Sequence, residues 1–149
     1  MLDLAKIPSE LAARPQWVLW RNVVRDGEPT KVPFQTSGKP AKANDPATWT
    51  TFAEVSRVFD PSRDAGIGFE FSDDDPFVGV DLDGCRNPET GEIADWAKQI
   101  IVEFGTYAEV SPSQTGAKLF GRGALTGNGI KREVPDAPKL CDKMPAVEV

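Results

Sequence analysis

The stretch Phe77-Val78-Gly79-Val80-Asp81-Leu82-Asp83 leaves this chain few ways to fold. Successive side chains of a strand point to opposite faces, so Val78, Val80 and Leu82 share one face while Gly79, Asp81 and Asp83 share the other. Such a strand belongs in a sheet that is covered on one side and polar on the other. The cover is written downstream. Ile93, Trp96, Ala97, Ile100, Ile101 and Phe104 recur at helical spacing and Gly105 follows as a stop, which predicts a helix packed on the apolar face of the strand.

The remaining segments fill in the class. A short helical lead is expected around Ser9 to Ala13. The run from Gln16 to Val24, the turn residues Arg25 to Thr30 and the run Lys31 to Phe34 predict two strands joined by a tight glycine-containing turn. Thr51 and Glu54 make a capping box ahead of Phe52, Val55 and Phe59, and Pro61 stops that helix. The alternation in Gly66 to Ser72, followed by Ser-Asp-Asp-Asp-Pro, predicts a strand that turns and pairs as an antiparallel hairpin with residues 77–83. Residues 106–110 and 117–123, separated by Ser-Pro-Ser-Gln-Thr-Gly, read as strand, turn and strand. The expected class is α+β, with a mixed or antiparallel sheet and packed helices.

Composition narrows the chemistry. With 149 residues, net charge −6 and no long uncharged apolar run, the chain reads as one soluble domain spanning residues 1–149, with no membrane partner. Its start has neither the charged lead nor the apolar stretch of a targeting peptide, so a cytoplasmic address is expected. There is no histidine, which removes catalytic triads, imidazole bases and His-ligated metals together. Cys85 and Cys141 form no zinc or disulfide pattern. From Lys118 onward six basic residues, Lys118, Arg122, Lys131, Arg132, Lys139 and Lys143, stand against four acids, so a local basic groove is compatible with an acidic whole. The basic residues that follow Lys118 are candidate contacts to a nucleic-acid backbone.

Asp81 and Asp83 project together from an anchored strand, and two like charges at that spacing repel unless a cation joins them. Oxygen donors with no His or thiolate beside them select Mg²⁺ or Mn²⁺ over zinc, and such sites typically hold nucleotide phosphates. A strand end with both acids solvated is the plain alternative. A calcium loop is a third reading, with Asp81, Asp83, Asn87, Glu89 and Glu92 in an EF-hand-like frame, but Cys85 and Arg86 stand where a ligand and the turn glycine belong. The second candidate is Ser111-Pro112-Ser113-Gln114-Thr115-Gly116, whose hydroxyls and backbone N–H groups can cradle an anion, with Lys118 adding positive charge at the start of the next strand. An ordinary polar turn is the alternative there. Trp17, Trp20, Trp49 and Trp96 sit in apolar periodic settings and read as core rather than as base-stacking platforms.

Taken in order, Arg-Pro-Gln-Trp-Val-Leu-Trp at 14–20, the Val-Asp-Leu-Asp strand, the Ser-Pro-Ser-Gln-Thr-Gly-Ala-Lys segment and the final Val-Glu-Val resemble the primase-polymerase domain of the archaeo-eukaryotic primase superfamily, in the form found in phage and plasmid replication proteins. The similarity runs from about Ile7 to the last residue. It implies a template-dependent nucleotidyl transferase with an archaeo-eukaryotic primase-like catalytic core, working on a single-stranded DNA template with NTP or dNTP. In that family the two strand aspartates are metal ligands, here Asp81 and Asp83. The serine-rich motif contacts the triphosphate, here through Ser111, Ser113, Gly116 and, at a position usually held by histidine, Lys118. A strand acid completes the two-metal Mg²⁺ or Mn²⁺ site, here Glu148. Gln114 departs from a frequent glycine. The residues that follow the strand acid in the family have no counterpart before Val149, so a domain lacking its C-terminal strands is expected, with a helicase fused or associated downstream. A catalytically inactive remnant that binds nucleotide or single-stranded DNA is the rival expectation.

Overall fold

The computed structural model describes residues 4–125 and 127–149 and divides into two compact units, Met1–Ser72 and Asp73–Val149. In the first unit β1 (Trp17–Arg25) and β2 (Glu28–Phe34) form the expected hairpin. Its two-residue turn places Asp26 at φ 53° and Gly27 at φ 84°, the left-handed pair that matches the twist of the flanking strands. The third strand, β3 (Gly66–Phe69), pairs antiparallel with the other edge of β1, giving the order β2-β1-β3.

Two helices belong to this unit, α1 (Ser9–Ala12) and α2 (Phe52–Val58). The Thr51 side chain caps α2 by accepting from the Glu54 N–H. Trp17 is the aromatic hub, its ring centroid 4.9 Å from that of Phe52 and 5.3 Å from that of Phe69, while its indole N–H donates to the Leu11 carbonyl. Arg21 and Arg63 both hydrogen-bond the fully buried Asp64 carboxylate. Of the four tryptophans only Trp17 is fully buried; Trp20 carries the Lys31 ammonium over its ring at 4.6 Å, and Trp49 donates to the Lys42 carbonyl.

The second unit is a five-stranded sheet in the order β5-β6-β4-β8-β7, built from β4 (Phe77–Asp83), β5 (Tyr107–Val110), β6 (Ala117–Arg122), β7 (Lys131–Glu133) and β8 (Ala146–Glu148). Its helix α3 (Asp95–Phe104) ends at Gly105, at φ 57°, as the stop signal required. Val80 and Leu82 of β4 bury with Ala117 and Leu119 of β6 and with Ala97 of α3, while Ile93, Trp96, Ile100, Ile101 and Val147 pack around them. The apolar face of β4 is therefore covered as its alternation demanded.

One expectation is corrected. The segment 66–72 does not pair with residues 77–83: β3 takes an edge of β1, and both edges of β4 are filled, by β6 and β8. Alternation fixes which way side chains face but carries no information on which strand lies alongside. The Ser-Asp-Asp-Asp-Pro stretch accordingly crosses from one unit to the other instead of closing a hairpin. Of the two sheet types expected, the antiparallel one is found: every strand pairing among the described residues is antiparallel. The chain is α+β with antiparallel sheets and few helices.

Candidate functional site

The open face of the second sheet carries one continuous charged row. Pairing places Glu109 opposite Lys118, Lys118 opposite Asp81, Asp81 opposite Glu148 and Glu148 opposite Lys131, so five strands contribute one residue each. Side chains at directly opposed antiparallel positions lie on the same face about 5 Å apart at Cβ. Asp81 and Asp83, two residues apart on β4, therefore share that face with Glu148, which comes from far along the chain. The 67 residues of sequence separation between Asp81 and Glu148 reduce to a single rung of the sheet.

Each acid has a lysine. The Lys118 ammonium stands 3.4 Å from Asp81 Oδ1. Lys131 Nζ donates to both Asp83 Oδ2, at 3.1 Å, and Glu148 Oε2, at 3.2 Å. Hydrogen bonds from the ammonium to Asp83 and then Glu148 hold the Lys131 pKa above the usual lysine value. Among the described residues no three His, Cys, Asp or Glu side chains are gathered as a ready metal cluster. The oxygen-only donors nevertheless already accommodate a cation between Asp83 and Glu148, occupied by an ammonium, and that donor set suits a small hard cation such as Mg²⁺ or Mn²⁺.

The turn out of β4 is fixed by backbone sterics. Gly84 sits at φ 61°, and a Cβ there would come within 2.8 Å of the carbonyl oxygens of Lys143 and Met144, so only glycine fits. Cys85 follows, buried, its thiol donating to the Leu82 carbonyl at 3.3 Å and pushed up in pKa by burial, which makes it a packing residue and not a nucleophile. Asn87 closes the next turn by accepting from the N–H groups of Glu89 and Thr90. Its side chain is engaged in the turn.

The serine-rich loop is internally ordered. Ser111 Oγ lies 3.0 Å from Ser113 Oγ, which lies 2.8 Å from Thr115 Oγ1, and Ser111 Oγ accepts from the Gly116 N–H. Gln114 occupies the left-handed region at φ 63°, an unfavourable place for a non-glycine residue. Arg86 steadies it, donating from Nη1 to the Gln114 carbonyl at 2.8 Å, while the Arg86 N–H donates to the Thr115 carbonyl at 3.0 Å. Gly116 packs so closely on the Leu82 carbonyl that a Cβ there would collide with it. The loop is thus tied to the end of β4 from which Asp83 projects.

Of the residues selected from sequence, the structure brings Asp81, Asp83, Glu148 and Lys118 onto one face and joins Ser111, Ser113 and Gly116 in one hydrogen-bonded loop leading to Lys118. Two residues have roles that the sequence does not announce. Arg86 reads from sequence only as a misfit in a calcium loop, and Lys131 only as a candidate contact to a nucleic-acid backbone. The three exposed residues of β7 have no hydrophobic alternation to announce a strand, so nothing in the sequence pairs Lys131 with Glu148.

No family model matches the chain. A DNA primase-polymerase of Nitratiruptor phage NrS-1 is 34% identical to it over 116 residues, which cover 77% of this chain and 16% of that relative. The chain thus corresponds to less than a fifth of the relative's length.

Proposed function

We propose that this chain, similar over most of its length to a phage DNA primase-polymerase, carries the nucleotidyl-transfer site of a DNA primase-polymerase with an archaeo-eukaryotic primase-like core. The reaction joins the 3′-hydroxyl of a primer or first nucleotide to the α-phosphate of an incoming NTP or dNTP, with pyrophosphate leaving, on a single-stranded DNA template. The observation that carries the reading is the cross-strand row in which Asp81, Asp83, Glu148 and Lys118 share one polar face.

Asp81, Asp83 and Glu148 would hold divalent cations, Mg²⁺ or Mn²⁺, in a two-metal site. A bound pair of such ions supplies a lowered pKa at the attacking hydroxyl and charge neutralisation on the phosphates. The protein's own part is positioning. The hydrophobic backing of β4 fixes the two aspartates, so little reorganisation is needed when a charged ligand arrives. The Ser111 and Ser113 hydroxyls bind phosphate oxygens, Gly116 keeps the loop close against Leu82, and Lys118 adds the positive charge. Lys118 keeps the charge of the histidine usual in the family but presents it as a point donor without a planar ring. Arg86 supports the loop at the strained residue Gln114.

A second reading has a specific observation in its favour. Lys118 and Lys131 pair with all three acids and leave one net negative charge, so the site also suits a domain that binds nucleotide or single-stranded DNA without turning it over. The experiment that separates the two is nucleotide incorporation on a primed single-stranded template with Mn²⁺. The proposal expects incorporation only of the nucleotide complementary to the template, and its loss in Asp81→Ala. Nucleotide binding without incorporation establishes the second reading, and incorporation that survives Asp81→Ala refutes the assignment of the acids.

A further inference from the structure

The polar face of β4 and β8 contains a cation of its own. Lys131 Nζ lies between Asp83 Oδ2 and Glu148 Oε2, within 3.2 Å of each, on a strand whose three residues are all exposed. The backbone beneath it is held: Ile130 and Val149 exchange two backbone hydrogen bonds, and Lys131 lies directly opposite Glu148. The side chain is not held in the same way. More than half of it is exposed, and its four-carbon stem can withdraw the ammonium from the acids without disturbing the strand.

We propose that Lys131 is a resident counter-ion of this site, which a divalent cation must displace to bring Asp83 and Glu148 together with Asp81. The inference rests on the metal-binding reading above and adds its control. Two carboxylates on neighbouring strands repel when unpaired, and the ammonium removes that repulsion in the metal-free protein. The same contact opposes metal entry, because the ion must exchange for an ammonium already bound at the same oxygens. Lys131 thereby sets the divalent concentration at which the site fills. Asp83 and Glu148 are turned to Lys131, and Asp81 to Lys118.

The test is Mn²⁺ titration of the purified protein by calorimetry, with melting curves recorded in EDTA and in Mn²⁺. For Lys131→Met the expected result is a Kd for Mn²⁺ about three- to tenfold tighter than wild type, the size appropriate to removing two partly exposed ion pairs. Its melting temperature should fall in EDTA, where the acids are left facing each other, and recover in Mn²⁺. Lys131→Gln, which keeps a polar side chain on the exposed strand, should tighten binding in the same direction, and it serves if the methionine variant folds poorly. Lys131→Arg should bind as weakly as wild type. Unchanged or weaker Mn²⁺ binding in Lys131→Met and Lys131→Gln overturns the proposal while wild-type binding that is lost in Asp83→Asn leaves the metal reading standing. Absence of Mn²⁺ binding in every form removes both.

Discussion

At the scale of single residues the two units place charge under different constraints. In the sheet of β4 the acids stay partly exposed and paired to partly exposed lysines, an arrangement suited to exchanging partners. Asp64 in the first unit is the opposite case. Burial pushes its carboxyl up, but hydrogen bonds from Arg63 and Arg21 and from the Asp60 N–H outweigh that and hold the pKa at about 2. A carboxyl lowered in the folded state stabilises the fold above its unfolded value, near 3.8, and that contribution disappears as pH falls through about 2. From the shift the contribution is about 2 kcal/mol at neutral pH. Acid titration followed by Trp fluorescence should therefore show stability declining between about pH 4 and 2, and Asp64→Asn should flatten that decline while lowering stability at pH 7. A variant whose pH dependence matches wild type would contradict this account.

At the scale of elements, the legible parts were those with a local physical signature. The Thr51 cap, the apolar stripe of α3 with its glycine stop, and the Asp26-Gly27 turn each settle their own structure within a few residues. The two faces of β4 were legible for the same reason, since alternation is a property of the strand alone. Strand partners are not local. β3 joined β1 because tertiary pairing chose that edge, and β7 and β8, of three residues each, are too short for any periodicity to appear. Glu148 was identified only through family resemblance, and Lys131's place beside it only through the sheet register. The junction of β4 and β6 offers a test at this scale. Because a Cβ at Gly116 would collide with the Leu82 carbonyl, Gly116→Ala should displace the serine-rich loop and cost about 1 to 3 kcal/mol in a denaturant melt. Its nucleotide affinity should fall as well, whereas wild-type stability in the variant would mean that the loop is not fixed by this contact.

At the scale of the whole molecule, the proposed function would have a chain of net charge −6 meet two polyanions, a triphosphate and a template. It can do so only through local positive groups or bound cations, because its overall field repels both. No helix among the described residues is long and apolar enough to cross a membrane. The sheet of the second unit resolves the electrostatic problem by placing lysines and carboxylates in one row over an apolar, helix-backed layer. Acids that belong to one site lose function together, so their effects do not multiply when combined. The most direct test is incorporation of the template-complementary nucleotide with Mn²⁺ by wild type, Asp81→Asn, Glu148→Gln and the double variant. Each single change should lower the rate at least about a hundredfold, with the double variant little worse than either alone. Near wild-type incorporation by Glu148→Gln, or losses that multiply in the double variant, would mean that β4 and β8 do not build one site.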